Sequence, residues 1–182
     1  MNATRELLQE SGFARLTVDR IAMRSGVGKA TVYRWWSNRA DVAMDALLEE
    51  RGPIGWFVED RPAIENLRTQ LLVATAFLSS STGTMVAGLL GDAQHDPQIA
   101  EAFRQRFLRP LVELTRELLA AAVEEGDIRA ELDPALLMDM LTGPIYFRLL
   151  VTGEPLTAEA TNAIVDAVLQ GVRPGTVDRG SG

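Results

Sequence analysis

Cationic side chains cluster in the first quarter of this 182-residue chain, where they suit the binding of a polyanion. Residues 13–40 carry six cations against one anion, Asp19, a local balance of +5. Lysine and arginine neutralise phosphate groups, and arginine also donates hydrogen bonds to base edges. Residues 52–182 hold 10 basic and 18 acidic side chains, so one end of the protein is expected to face nucleic acid. The six cations are Arg15, Arg20, Arg24, Lys29, Arg34 and Arg39.

Two short helices joined by a tight turn are predicted to position these side chains. The first helix would run from about Val18 to Arg24, capped by Thr17, whose hydroxyl can accept a free backbone N–H. The turn is Ser25-Gly26-Val27, and the second helix would run from about Lys29 to Trp35. Two helices on a short turn that contains glycine form the helix-turn-helix pattern, in which the second helix enters the major groove of DNA.

The circumference of the second helix favours this interpretation. Residues four apart share a helix face, and Val32 with Trp36 forms the one strongly apolar row, expected to pack on Ile21 and Ala22. Gly28, at the predicted N-cap, has no side chain to keep a phosphate from the helix N-terminus. The other rows are polar, cationic or small: Lys29 with Tyr33, Ala30 with Arg34, and Thr31 with Trp35.

Several residues of this segment stand at the spacing of one known domain. They are Gly12-Phe13, Thr17, Ile21-Ala22, Gly26-Val27, Thr31, Tyr33, Trp36 and Asn38-Arg39. The segment resembles the DNA-binding domain of the TetR family of bacterial transcriptional regulators. That family usually has an aromatic residue where Trp36 stands and a lysine where Arg39 stands. It usually has more residues before Gly12, so either the chain begins upstream or an N-terminal arm's phosphate contacts are lacking.

The pattern and the resemblance together predict which side chains contact DNA. Phosphate contacts fix the position of a protein on DNA, whereas contacts to base edges specify sequence. We predict phosphate contacts from Thr17, Lys29, Tyr33 and Arg39. We predict that base edges are faced by Ala30, Thr31, Arg34 and Trp35.

The remainder of the chain predicts an all-α fold, with an N-terminal helix-turn-helix domain and a C-terminal helical ligand-binding and dimerisation domain. Apolar residues recur at helical spacing, and no strand pattern competes with them. Pro110 and Gly143-Pro144 are expected to bend the helices that contain them. The predicted domains are residues 1–51 and 52–173, the second beginning with a connector at 52–61. The composition of residues 174–182 predicts a disordered tail. Predicted helices of the second domain span about 62–79, 84–94, 97–125, 133–151 and 158–169.

The last two predicted helices carry more apolar residues than one narrow stripe can bury. Both could be buried inside one chain, or they could form a four-helix bundle with a second copy. TetR-like proteins dimerise through their last two long helices, so the resemblance implies a homodimer. A dimer also suits helix-turn-helix geometry, in which two recognition helices bind half-sites of an inverted repeat. The predicted interface residues are Leu137, Leu141, Phe147, Ile164, Val165 and Val168.

The resemblance also implies a pocket for an unknown small-molecule effector among the middle helices of the C-terminal domain. Methionine and phenylalanine make adaptable apolar walls. Aromatic and methionine residues at helical spacing are also typical of an ordinary core, and that alternative stays open. The predicted lining residues are Leu71, Phe77, Met85, Leu89, Phe103, Phe107, Leu111, Met138, Thr142 and Tyr146.

The sequence contains no convincing group of catalytic residues, so the chain is predicted not to be an enzyme and to need no metal or other cofactor. Cysteine is absent, which excludes a cysteine nucleophile, a disulfide and a thiolate metal site. The single histidine, His95, lies between Asp92 and Asp96, a pattern more typical of a solvated turn than of a metal site. No secretory signal and no run of 18 apolar residues occurs, which predicts a cytoplasmic protein without membrane contact.

Two functions from different classes fit these observations. The first is a transcriptional regulator, most simply a repressor, that responds to a ligand and binds double-stranded DNA. The second is a DNA-bound architectural or cell-division protein whose C-terminal body binds a protein partner. An apolar cavity would favour the first, whereas a filled core with an exposed apolar patch would favour the second.

Overall fold

The computed structural model describes residues 2–36, 38–52 and 60–172, and all regular structure within these ranges is helical. This confirms the predicted all-α fold. The predicted connector at 52–61 lies mostly, and the predicted tail at 174–182 entirely, outside the described residues. The helices are α1 Asn2–Ser11, α2 Val18–Ser25, α3 Lys29–Trp35, α4 Arg39–Arg51, α5 Ala63–Leu78, α6 Ser81–Ala93, α7 Pro97–Phe103, α8 Arg109–Glu124, α9 Pro134–Phe147 and α10 Ala158–Val172.

Local capping explains the helix boundaries around α2, α3 and α4. The Thr17 hydroxyl accepts the backbone N–H of Arg20 at 3.2 Å, which confirms the predicted cap of α2. Gly26 has a φ of +73°, a left-handed conformation that glycine adopts without strain and that ends α2 sharply. Asn38 caps α4 by accepting the N–H of Asp41 at 3.0 Å. These caps set the ends of α2 and the start of α4, and α3 packs against α2.

The chain divides into two compact units. Unit 1 comprises Met1–Ile54 and Ala76–Leu111, and unit 2 comprises Gly55–Thr75 and Val112–Gly182. Within unit 1, α6 and α7 pack against α4, and α6 also packs against α1. The N-terminal helices therefore share a core with α6 and α7, and the domain boundary at residue 51 stays a prediction.

Each unit has its own apolar core. In unit 1 the side chains of Phe13, Leu16, Val32, Met44 and Leu47 are almost completely buried. In unit 2 the corresponding positions are Leu67, Leu119, Leu141 and Val165. Val32 belongs to the apolar row predicted for α3, and its burial together with Ile21 and Ala22 fixes α3 against α2.

Two π-helical turns lie close to the prolines inside the helices of the C-terminal half. A π-helical turn, Arg104–Leu108, joins α7 to α8 just before Pro110. Proline lacks the N–H for an α-helical bond and its ring crowds the preceding turn, so a wider turn avoids that clash. Pro144 lies inside α9, and a second π-helical turn, Arg148–Thr152, follows the end of that helix. The predicted interruption at Pro110 thus takes the form of a π-helical turn within one continuous helical run.

Gly83 determines how α5 turns into α6, a junction with a bend of 85°. The sequence predicted that α6 begins near Thr84, but it begins at Ser81 after the Ser80 cap. A Cβ atom on Gly83 would lie 1.7 Å from the backbone carbonyl oxygen of Leu78. Only glycine allows the two helices to approach so closely.

Replacing Gly83 by alanine is therefore expected to lower the free energy of unfolding by at least about 2 kcal/mol, as for other overpacked sites. Gly88 is the matched control, because it lies exposed in the same helix and a Cβ there meets no atom within 4 Å. Alanine at Gly88 should stabilise the protein by about 0.5–1 kcal/mol through its helix propensity. Urea denaturation of both variants measures the difference, and equal effects would contradict the proposed role of Gly83.

Candidate nucleic-acid interface

Most of the side chains predicted to contact DNA lie on the exposed face of α3. Tyr33 is 58% exposed and Trp35 is 70% exposed, which is unusual for large aromatic residues in a folded protein. Lys29, Ala30 and Arg34 are also exposed, and Thr31 is half-buried. The Arg34 guanidinium lies 5.8 Å from the Trp35 ring centroid, so the two side chains form one amphipathic surface. This surface can donate hydrogen bonds and make apolar contacts, as recognition of base edges requires.

Ion pairs reduce the positive charge that the sequence assigned to this region. Lys29 pairs with Asp19 at 2.8 Å. Arg24 pairs with Glu6 at 3.0 Å and with Glu10 at 2.8 Å, and its hydrogen bond lowers the pKa of the Glu10 carboxyl. The carboxylates of α1 lie far from Arg24 in the sequence, so counting charges between residues 13 and 40 missed them. Among the described residues, no carboxylate lies within ion-pair distance of Arg34.

Arg39, predicted to contact phosphate, lies half-buried at the start of α4 and is tied to the body helices. Its guanidinium donates to the Asp96 carboxylate at 3.0 Å and lies 4.6 Å from the Phe13 ring centroid. The Arg39 hydrogen bond, followed by the N–H groups of Gln98 and Ile99, holds the pKa of Asp96 below its usual value. The pair therefore stabilises the folded chain at neutral pH and is lost only as the pH falls through that lowered pKa. The Arg39 side chain is 39% exposed, so part of it is accessible to a phosphate, and this contact stays a prediction.

Trp36 connects the end of α3 to the π-helical turn at 104–108 through a shared carboxylate. Its indole Nε1 donates to Asp45 Oδ2 at 2.5 Å. Arg106, in the π-helical turn, forms an ion pair with the same Asp45 carboxylate and donates to the Asp41 carbonyl oxygen at 3.3 Å. No local sequence pattern indicates this contact, because Asp45 and Arg106 are 61 residues apart. Within unit 1, Asp45 therefore holds the C-terminal end of α3 against α4 and the π-helical turn.

An open cleft of about 230 Å³ lies beside α3 within unit 1. Thr4 of α1 and Trp35 of α3 are among the residues on its walls, together with Ile21 and Val27. His95, the single histidine, lies apart from this region in the turn between α6 and α7. Its backbone N–H donates to the Asp92 carbonyl oxygen at 3.0 Å, and its side chain is exposed.

The predicted dimer residues divide into a buried group and an exposed group. Leu137, Leu141, Val165 and Val168 are at most 9% exposed within a single chain. The core of unit 2 covers these four side chains, and their contact with a second copy stays a prediction. Phe147 is 56% exposed and Ile164 is half-buried. The exposed apolar face of α9 and the following turn consists of Leu136, Met140, Phe147, Leu150 and Val151.

The ten residues predicted to line an effector pocket are distributed over both units. In unit 1, Phe103 and Phe107 stack with ring centroids 4.8 Å apart, and Phe77 lies 6.2 Å from Phe107. Met85 and Leu89 of α6 are buried, whereas Leu111 is half-buried. In unit 2, Leu71 is buried, and Met138, Thr142 and Tyr146 are half-buried on α9. Thr142 donates to the Met138 carbonyl oxygen at 2.8 Å, and burial raises the pKa of Tyr146.

The capped turn, the buried apolar row of α3 and its exposed polar face define a helix-turn-helix DNA-binding protein. Family models agree with this class. Residues 1–52 match the model of bacterial regulatory proteins of the tetR family, and residues 63–168 match a tetracyclin repressor-like C-terminal domain. The chain belongs to the TetR family of transcriptional regulators.

Relatives match over nearly the whole chain. An uncharacterised helix-turn-helix-type transcriptional regulator of Bacillus subtilis, YdeS, is 35% identical over 95% of this chain and 87% of its own length. A DNA-binding transcriptional repressor, TetR, of Mycobacteroides abscessus is 26% identical over 93% of this chain and 90% of its own. The crystal structure of the TetR family regulator SCO0332 is 34% identical and has a TM-score of 0.72, covering 94% of this chain and 95% of that one.

A structure of lower identity supports the fold alone. The transcriptional regulator FadR of Bacillus subtilis, solved in complex with stearoyl-CoA, has a TM-score of 0.74 at 20% identity. It covers 94% of this chain and 97% of that chain. The chain is thus a sequence-specific DNA-binding transcriptional regulator, in a family of which repression and response to small ligands are typical.

Proposed function

We propose that this regulator is a cytoplasmic repressor that binds an inverted-repeat operator as a homodimer and releases it when a small molecule binds. The observation that carries the proposal is the exposed face of α3, where Arg34 and Trp35 project from a helix held by its buried opposite face. A half-site on each side of a two-fold axis would receive one recognition helix. The architectural alternative is not favoured, because the chain matches regulators over both of its domains.

A genomic footprint with the purified full chain tests the DNA-binding half of this proposal. We expect protected segments that share a short inverted repeat, with half-site centres about one helical turn apart or a multiple of it. Protection without a shared sequence would contradict sequence-specific regulation by α3.

Arg34 and Lys29 should differ in what they contribute to operator binding. Replacing Arg34 by alanine is expected to weaken the free energy of operator binding by about 1–3 kcal/mol. It should also relax the sequence preference at one base pair, because Arg34 is predicted to face base edges. Replacing Lys29 by alanine should lower the affinity for all DNA sequences alike, because Lys29 is predicted to face phosphate. The salt dependence of binding should fall by about one counterion. Fluorescence anisotropy with the operator, each single-base variant and a salt series measures both effects. An Arg34→Ala protein with unchanged affinity and preference would show that this row does not enter the groove.

The proposed homodimer uses the exposed apolar face of α9 defined above. Pro134–Thr152 spans 19 residues with a mean hydropathy of 1.3, and only 17% of this run is buried within one chain. By length and composition alone this run could cross a membrane. A second copy is the better partner, because helix-turn-helix regulators bind two half-sites and an uncovered apolar face of this size marks an interaction surface. The proposed contact residues are now Leu136, Met140, Phe147, Leu150 and Ile164.

Effector binding is proposed for the apolar residues of the C-terminal body. The FadR relative was solved with stearoyl-CoA, which is an amphipathic molecule bound to that protein. A ligand can release DNA only if it binds the DNA-incompetent arrangement more tightly, and a coupling of about 1–3 kcal/mol would change operator affinity by 5–150-fold. Titration of candidate ligands into the protein–operator complex, followed by anisotropy, measures this coupling. The absence of any ligand that changes operator affinity would contradict the effector proposal.

A further inference from the structure

Arg51 differs from the other arginines that lie between α4 and its neighbours. It is the last residue of α4, half-buried, and its guanidinium lies 5.2 Å from the Phe107 ring centroid. One terminal nitrogen donates to the Phe107 carbonyl oxygen at 3.3 Å, whereas the buried Nε has no hydrogen-bond partner. Burial without a compensating charge lowers the pKa of the Arg51 guanidinium.

Three other arginines of unit 1, which lie on α4 or bind to it, are paired with carboxylates. Arg5 pairs with Glu50, Arg39 with Asp96 and Arg106 with Asp45. Within residues 2–36, 38–52 and 60–172, no carboxylate lies at ion-pair distance from Arg51. A partly desolvated cation without an anion is costly unless another group compensates it. A group that brings negative charge or a strong acceptor to the Arg51 Nε would compensate this cost.

The surroundings of Arg51 also restrict the rest of such a partner. Phe107 stacks on Phe103, and both rings are buried. Phe77 contacts Phe107 and is half-buried, so it presents the accessible edge of this aromatic cluster. A small hydrated anion would gain little from these rings, whereas an anion attached to an apolar group would bury that group against Phe77.

We propose that Arg51 and Phe77 form a binding site for an amphipathic anion, with a carboxylate or phosphate head on the guanidinium and an apolar tail along the phenyl ring. This site names the chemical class of effector, and it rests on the proposed ligand response. Arg51 ends the helix that begins beside α3, and Phe107 lies in the same π-helical turn as Arg106, which contacts Asp45. A ligand that draws Arg51 from Phe107 therefore acts on the turn that holds the recognition helix.

Binding to the full-length chain without DNA tests the site. The probes are octanoate, octyl phosphate and 1-octanol, titrated by calorimetry into the wild type and into Arg51→Met, which keeps the packing but removes the charge. We expect Arg51→Met to lower the affinity for octanoate and for octyl phosphate at least about 10-fold, because a charge-assisted hydrogen bond is lost. The affinity for 1-octanol should change less than about 2-fold. Arg51→Lys should retain part of the anion affinity, and Phe77→Ala should weaken all three probes.

Arg104→Met is the matched control, because Arg104 lies in the same π-helical turn but is exposed and paired with Glu101. It should bind all three probes as the wild type does. The proposal is overturned if Arg51→Met binds octanoate and octyl phosphate normally, if the wild type prefers 1-octanol, or if it binds none of the probes. Since DNA is absent, failure to find an operator would count against the proposed repressor and leave this result unaffected.

Discussion

Replacing Phe147 by aspartate is expected to convert the proposed homodimer into a monomer and to lower operator affinity at least about 100-fold. Phe147 is 56% exposed on α9, so the substitution leaves the core of the single chain intact. In a two-fold interface each substitution occurs on both copies, and two carboxylates would be buried in an apolar contact without a partner. A single recognition domain would then bind a half-site alone and lose the contribution of the second.

Sedimentation at micromolar concentration and operator anisotropy should show both losses together. Val73→Asp is a suitable control, because Val73 is also a partly exposed apolar residue of unit 2 but lies on α5, outside the proposed interface. Circular dichroism should show the same helix content for both variants and the wild type. A Phe147→Asp protein that remains dimeric would place the interface elsewhere. A monomer that binds the inverted repeat as tightly as the wild type would contradict the coupling of dimerisation to DNA binding.

Local sequence signals were sufficient for the helix-turn-helix. Thr17, Gly26 and Asn38 each act through backbone atoms within three residues of themselves, so their effects are visible in the sequence. The apolar row of α3 was also predictable, because Val32 repeats with Trp36 at helical spacing. For these reasons the boundaries of α2 and α3 were predicted to within about one residue.

Long-range contacts were not predictable from the same signals. The sequence pattern assigned no role to Asp45, yet its carboxylate accepts a hydrogen bond from Trp36 and pairs with Arg106. The buried and the exposed positions of α9 could not be separated from the sequence for a related reason. Helix α9 is apolar around most of its circumference, so periodicity could not distinguish residues such as Leu141, buried in its own chain, from residues such as Met140 that remain exposed.

Substitution of Asp45 should loosen the recognition helix α3 from the rest of unit 1 more than substitution of any other residue. In Asp45→Ala, the Trp36 indole N–H loses its acceptor and the half-buried Arg106 guanidinium loses its carboxylate. Hydrogen bonds to charged groups contribute about 1.5–3 kcal/mol each, and partial exposure of this pair reduces that value, so we expect a total loss of about 2–3 kcal/mol in unfolding free energy. We also expect operator affinity to fall about 10-fold, because the end of α3 is no longer fixed.

Two further variants separate the roles of this carboxylate. Asp45→Asn keeps an acceptor for Trp36 but removes the charge that pairs with Arg106, so its stability should lie between those of the wild type and Asp45→Ala. Glu101→Ala, on α7, breaks an exposed pair with Arg104 and should leave the stability close to that of the wild type. Urea denaturation and operator anisotropy measure both properties for the same samples. If Asp45→Ala behaved like Glu101→Ala in both assays, the Asp45 carboxylate would not hold the recognition helix. A loss of stability with unchanged operator affinity would limit its role to joining α4 to the π-helical turn.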